Sequence, residues 1–136
     1  MTLNEIYIEC DKKNIEVYPF KFDSNIKGVA LPDGSIAVDT DKISSNAEEL
    51  EIIAHEEGHI ETGSFYNIYS PLDIRAKHEK RAEKYAIKKL IPKDELDNAF
   101  NNGITEYWEL AEYFNVTCEF MIKAINFYKE SAENVL

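Results

Sequence analysis

Cysteine is scarce in this chain: two in 136 residues, Cys10 and Cys118, with no CxxC pair. That argues against a disulfide scaffold and fits a reducing cytoplasm, with one Cys10–Cys118 disulfide as the oxidised alternative. Basic residues are also few. Fifteen Lys and Arg stand against 26 Asp and Glu, for a net charge of -11. Such a surface repels phosphate backbones and anionic lipids, which argues against nucleic-acid and membrane partners. No apolar run approaches the length needed to span a bilayer. Met1–Glu5 lacks a basic n-region, so no secretory leader is expected. Histidine is rare as well: of the three, two fall within five residues of each other.

What is present is an ordinary globular composition, 44% hydrophobic and 12% aromatic. It excludes wholesale disorder, and a chain of this size buries roughly two-thirds of its unfolded surface in one core. The reading is a single domain over 1–136. Apolar spacing at Leu3, Ile6 and Cys10 predicts a short helix over 2–13. Alternation over 15–22 predicts a strand, and Pro19 sends it to a sheet edge or marks a bulge. Residues 27–31 and 35–39 flank Pro32-Asp33-Gly34 and read as a hairpin. From Ser45 the pattern is helical. Ser45 and Glu48 resemble a capping box opening a helix to about Glu61, with Gly63 as its stop. Further helices are expected over 73–90, closed by Ile91-Pro92, and over 93–100, 105–114 and 118–130. Charge is uneven: residues 73–92 carry seven basic groups against three acidic ones, between two acidic regions.

Residues 55–59 read His55-Glu56-Glu57-Gly58-His59. This is HExxH on an expected helix. Two histidines four apart share a helix face and can reach one metal ion, and the intervening Glu56 projects toward the open side, where it can hold a water. Zn²⁺ makes that water acidic, and Glu56 takes its proton as general base. A chance HExxH is expected in about one such chain in a hundred. The bland alternative is a solvated acidic helix with two incidental histidines. A zinc site needs a third protein ligand, and Glu79 heads a stripe at Glu79, Ala82, Glu83, Ala86 and Leu90 on the next helix. Small residues at Ala82, Ala86 and Gly58 allow the two helices close together, which carries Glu79 toward His55 and His59. Glu83, one turn on, can accept the free N–H of a zinc-bound histidine, or else lie solvated beside Lys80 and Arg81.

The chain resembles the ImmA/IrrE family of metallopeptidases. The resemblance rests on His55-Glu56-Glu57-Gly58-His59, on Glu79-Lys80-Arg81-Ala82-Glu83-Lys84-Tyr85-Ala86 and on Leu90-Ile91-Pro92, and spans about residues 29–129. It implies an α+β zincin-like fold: a short N-terminal β-sheet (1–44, with the first helix), zinc-binding helices (45–92), and a mostly helical remainder (93–136) ending in a helix-turn-helix-like pair. It implies one Zn²⁺ per chain held by His55, His59 and Glu79, with Glu56 catalytic. The family often carries Asn or Asp at the position of Glu83. Its members cut or relieve a helix-turn-helix (XRE-like) transcriptional repressor, switching on phage, mobile-element or stress genes. That repressor is the implied protein substrate.

Other residues are weighed as follows. A zinc peptidase needs an oxyanion or substrate contact beyond the metal, and Tyr66, Tyr69, Arg75, His78 and Arg81 are candidates. By analogy with zincins, the strand Ser35–Asp39 serves as an edge that pairs with extended substrate. The basic face of Arg75, Lys77, Lys80, Arg81, Lys84, Lys88 and Lys89 reads as solvated or as an attractor of acidic substrate. Trp108, Leu110, Ala111, Phe114, Val116, Met121, Ile122 and Ile125 mark two amphipathic helices, with Cys118 in the same apolar pattern and expected in the core, as is Cys10. Residues 109–117 also resemble a DNA-binding helix-turn-helix, but the second helix presents Glu119, Lys123, Asn126 and Glu130, with no arginine to read guanine. Two alternatives to a peptidase follow: a zinc-stabilised regulatory protein that binds the repressor uncut, and a DNA-binding protein.

Overall fold

The computed structural model describes residues 1–67 and 69–133. Helix α1 (Leu3–Lys12) opens on a reciprocal cap: the Glu5 N–H donates to the Thr2 hydroxyl at 3.2 Å, and the Thr2 N–H donates to the Glu5 carboxylate at 3.1 Å. Its inward residues are Ile6 and Cys10, both buried. Three short strands follow, β1 (Val17–Pro19), β2 (Gly28–Ala30) and β3 (Ile36–Val38). β2 and β3 form the expected antiparallel hairpin, with Gly28 opposite Val38 and Ala30 opposite Ile36, and Gly34 turning it at φ +89°. β1 lies parallel to β3 on the other side, so Pro19 is on an edge, where its missing N–H costs no ladder bond.

The strand order β1-β3-β2 overturns one expectation. The strand at Ser35–Asp39 is the central one, not an edge. Ile36, Ala37 and Val38 are all buried, as befits a strand with neighbours on both sides. The edge that runs past the HExxH helix is β2. Lys27 O accepts from the Asp39 N–H and the Leu31 N–H donates to Ser35 O, each at 2.8 Å. Residues 27, 29 and 31 therefore bond inward to β3, and Gly28 and Ala30 turn their backbone groups to the open side. The loop entering β2 is tied down by Lys42. Its ammonium donates to the carbonyls of Phe22 and Ser24 and lies 3.1 Å from the Asp39 carboxylate.

Helix α2 (Asn46–Thr62) starts at Ser45, whose hydroxyl accepts from the Glu48 N–H at 3.1 Å. The box is not closed, because the Glu48 carboxylate takes Lys27 at 2.7 Å instead. α2 ends at Gly63, in the left-handed region at φ +63°. Helix α3 (Leu72–Leu90) lies against it, and Gly58 makes that contact tight. A Cβ there would sit 2.8 Å from the Ala82 carbonyl oxygen and 3.0 Å from its Cα. Helices α4 (Lys93–Asn101), α5 (Tyr107–Phe114) and α6 (Cys118–Glu133) complete the fold, with Asn115 at φ +60° turning α5 into α6. Among the described residues no helix is long and apolar enough to cross a membrane.

The core runs from Ile6 and Cys10 through Ile36, Leu50, Ile53 and Leu90 to Leu110 and Met121. α5 buries Leu110, Ala111 and Phe114, which leaves Trp108 outside the stripe and 60% exposed. Ile122 is exposed too, and Cys118, in the first turn of α6, faces solvent rather than the core. Behind α2 sits a buried ionic cluster that apolar patterning does not reveal. Glu57, wholly buried, takes the Tyr85 hydroxyl and the Lys89 ammonium on one oxygen, each at 2.9 Å, and the Cys10 thiol at 3.7 Å on the other. Lys89 also reaches Glu9, so it leaves the solvated basic face to which its spacing assigned it.

Candidate metal centre

His55 and His59 lie one turn apart on α2 and face α3. Their Nε2 atoms meet the two oxygens of one carboxylate: His55 Nε2 is 2.8 Å from Glu79 Oε2, and His59 Nε2 is 3.1 Å from Glu79 Oε1. The close approach of the helices at Gly58 and Ala82 makes this reach short enough. The other ring nitrogens are occupied as well. His55 Nδ1 is 2.9 Å from the Glu83 carboxylate, and His59 Nδ1 is 2.7 Å from the Ser64 carbonyl oxygen. Those acceptors hold the Nδ1 protons and so direct both Nε2 atoms at Glu79. Glu83 is thus paired with His55 and not left beside Lys80 and Arg81. Ser64, buried just past the end of α2, is a partner that the sequence motif does not show.

One donor atom from each of His55, His59 and Glu79 lies within 4.8 Å of the others. Two imidazole nitrogens and a carboxylate oxygen, with room for a fourth ligand, is the donor set of a catalytic zinc site. The electrostatics agree. Burial alone would keep His55 neutral, but its bonds to Glu79 and Glu83 outweigh that and push its pKa up to about 10. His59 moves in the same direction against the same burial penalty. The bonds from His55, then His59, hold Glu79 well below the ordinary carboxylate range, and His55 does the same for Glu83. Positive charge at the shared point is what the cluster is built to accept, whether carried by protons or by a cation.

Glu56 is placed differently. It points across to the sheet, toward the Ala30 N–H of β2, and is only 8% exposed. Its Oε2 is buried and has no hydrogen-bond partner among the described residues. Burial pushes its pKa up to about 7, partly countered by His55 and His59. Two clefts meet at this side chain. One, of about 310 Å³, runs toward Glu51, Glu119 and Lys123; the other, of about 560 Å³, runs past Val29, Ala30, Phe65 and Tyr66. Gly28 lines both clefts, in a strand pressed onto α2: a Cβ there would come within 2.6 Å of Ile52.

The candidates for a substrate contact separate clearly. The Tyr66 hydroxyl donates to Glu79 Oε1 at 2.7 Å, so it joins the cluster. His78 does not reach the cluster; its ring stacks on Tyr66 at 6.1 Å between centroids. Arg75 lines the larger cleft, and its Nε donates to the Ser70 carbonyl at 3.0 Å, bracing the loop that carries Tyr66. Tyr69 is 88% exposed and Arg81 faces solvent. A contact missed from the sequence joins the start of α6 to α2: Glu51 accepts from the Thr117 N–H at 2.9 Å and from its hydroxyl at 2.6 Å. It sets the start of α6, with Lys123, beside the smaller cleft.

No curated protein and no solved structure matches the chain at a significant level. A family model does, over residues 8–126: that of the M78 peptidases, described as the IrrE N-terminal-like domain. The match takes in the sheet, both helices of the His55–His59–Glu79 cluster and most of α6, and the chain belongs to that peptidase family.

Proposed function

We propose that the chain is a zinc-dependent endopeptidase whose substrate is a helix-turn-helix transcriptional repressor. One observation carries the reading: two Nε2 atoms converge on the Glu79 carboxylate while the adjacent Glu56 holds an oxygen that has no partner among the described residues, where two clefts meet. When bound, zinc supplies Lewis acidity to a water and to the scissile carbonyl. His55, His59 and Glu79 hold it, and Glu83 and Ser64 fix the tautomers of the two rings. Glu56 takes the proton of the attacking water and returns it to the departing amine. Burial raises the basicity of this carboxylate, which favours its taking the proton. The open edge of β2 gives an extended peptide a backbone to pair with, through Gly28 and Ala30. The repressor as substrate rests on family membership alone. The test is to incubate the zinc-loaded chain and its Glu56→Gln variant with repressors encoded beside its gene. Cleavage by the wild type only is expected; a stable uncut complex would favour a regulator that acts by binding.

A further inference from the structure

The Tyr66 hydroxyl stands closer to the reacting centre than its place in a loop would suggest. The loop joins α2 to α3 and is anchored at both ends. At the first, the Ser64 carbonyl is held by His59, and the Ser64 and Thr62 hydroxyls bond each other. At the second, the Ser70 carbonyl is held by Arg75. The Tyr66 ring is set between two imidazoles, edge-on to His59 at 6.2 Å and stacked on His78 at 6.1 Å and 21°. Its hydroxyl reaches the Glu79 oxygen that His59 Nε2 also meets. The side chain is nevertheless 41% exposed and lines the larger cleft with Glu56. A phenol needed only to hold Glu79 gains nothing from facing a cleft.

Building on the peptidase reading above, we propose that Tyr66 is a catalytic residue that donates its hydrogen bond to the carbonyl oxygen of the scissile amide, with His78 as the residue that positions it. A cation bound at Glu79 draws down the charge of that carboxylate and weakens it as an acceptor. The hydroxyl is then free for a stronger acceptor, the oxygen that gains charge during attack. In the step, the water oxygen bonds to the carbonyl carbon, the water proton passes to Glu56, and the carbonyl π pair moves onto oxygen. Tyr66 keeps its proton and stabilises that oxygen. When the pair returns, the C–N bond breaks and Glu56 gives the proton to the leaving nitrogen.

The test uses Tyr66→Phe, which keeps the ring and its stacking, in the zinc-loaded full chain. Three readouts are taken: zinc affinity by chelator competition, kcat and KM on casein peptides, and binding of a blocked phosphinic hexapeptide with apolar side chains, which mimics the tetrahedral state. Expected are a fall in kcat of about 10²-fold, KM and zinc affinity unchanged, and phosphinic-peptide binding weakened about 10-fold or more. His78→Ala should reproduce part of this loss and His78→Phe, which retains a ring to stack, should restore it. Unchanged phosphinic-peptide binding in Tyr66→Phe, or no binding by the wild type, would overturn the proposal. A fall of about 10–100-fold in zinc affinity with the kcat of the zinc-saturated variant intact would also overturn it, since that is the signature of mere ligand support. The phosphinic arm needs no turnover. A wild-type chain that binds the mimic through Tyr66 but cuts no peptide would contradict the peptidase reading without touching the role of Tyr66 in holding the oxyanion.

Discussion

Glu56 and Glu57 are neighbours on one helix, both buried, and live in opposite chemistry. Glu57 faces back into the core, where Lys89, Tyr85 and Cys10 satisfy both of its oxygens. Glu56 faces forward, toward the Ala30 N–H of β2, and keeps an oxygen with no partner among the described residues. The same contrast holds for the clusters around them. Behind α2, carboxylates meet ammonium groups supplied by α1 and α3. In front, Glu79 and Glu83 meet two imidazoles and the neutral Tyr66 hydroxyl at hydrogen-bond distance, and among the described residues the nearest ammonium, Lys123, stands 3.8 Å from Glu83. One face is closed by its own counterions and serves stability. The other is left for something the chain must bind.

Substituting each glutamate should separate the two faces most sharply. Glu56→Gln should retain zinc and fold normally but lose about 10³-fold in cleavage rate. Glu57→Gln should cost about 3 kcal/mol of stability, because it strips a counterion from a buried lysine, and leave the kcat of the folded fraction near wild type. Urea melts and steady-state kinetics on both variants check this. Equal loss of activity in the two would erase the distinction.

Within the front cluster, the ligand and its supporter should differ in degree. Glu79→Ala removes a donor atom and should all but abolish zinc binding in chelator competition. Glu83→Gln should weaken it about 10–100-fold, since it loosens only the orientation of His55. A larger effect at Glu83 than at Glu79 would reverse their assigned roles.

Gly58 couples the two faces, because it sets the distance between α2 and α3. Gly58→Ala drives a methyl against the Ala82 carbonyl, which is backbone and cannot swing away. The cost should be about 1–3 kcal/mol, read as a lower urea midpoint, and the shift of α3 should weaken zinc binding as well. Full stability with normal zinc affinity would show that the helices part without consequence.

The smallest expected effect is one of pH. In the metal-free chain the pKa of His55 is raised from its ordinary 6.5 to about 10, so protons bind more tightly to the folded state. Its stabilising contribution is complete below pH 6.5 and is lost as pH rises through about 10. Metal-free wild type should therefore lose stability across that window more steeply than His55→Gln, and zinc should remove the difference by taking the proton's place. Parallel pH profiles for the two would contradict the pairing of His55 with Glu79 and Glu83.

How much of this was legible in the sequence follows from which interactions have a period. The HExxH spacing and the Glu79–Ala82–Glu83–Ala86 stripe are helical repeats, and both fell where expected, with Gly58 packed against Ala82. Pro19 and Gly34 were legible because each has one conformational demand. The strand at 35–39 was misplaced to an edge, since nearness along the chain to α2 does not fix strand order; hairpin register does. Trp108 and Cys118 carry apolar character but lie off the buried stripes, which are Leu110–Ala111–Phe114 on α5 and Phe120, Met121, Ala124 and Ile125 on α6. Tyr66 could not be chosen among five candidates because a loop has no period to say where its side chains meet. The Glu57–Lys89 pair was hidden for the opposite reason: both residues look like solvated charge until α1 and α3 close over them.

The most direct measurement is a zinc titration of the metal-stripped chain beside Glu79→Ala, followed calorimetrically. The account predicts about one tightly bound zinc per wild-type chain and little or no binding in the variant. A wild-type chain that takes up no zinc, or a variant that binds it as tightly, would contradict the convergence of His55, His59 and Glu79 on a single ion.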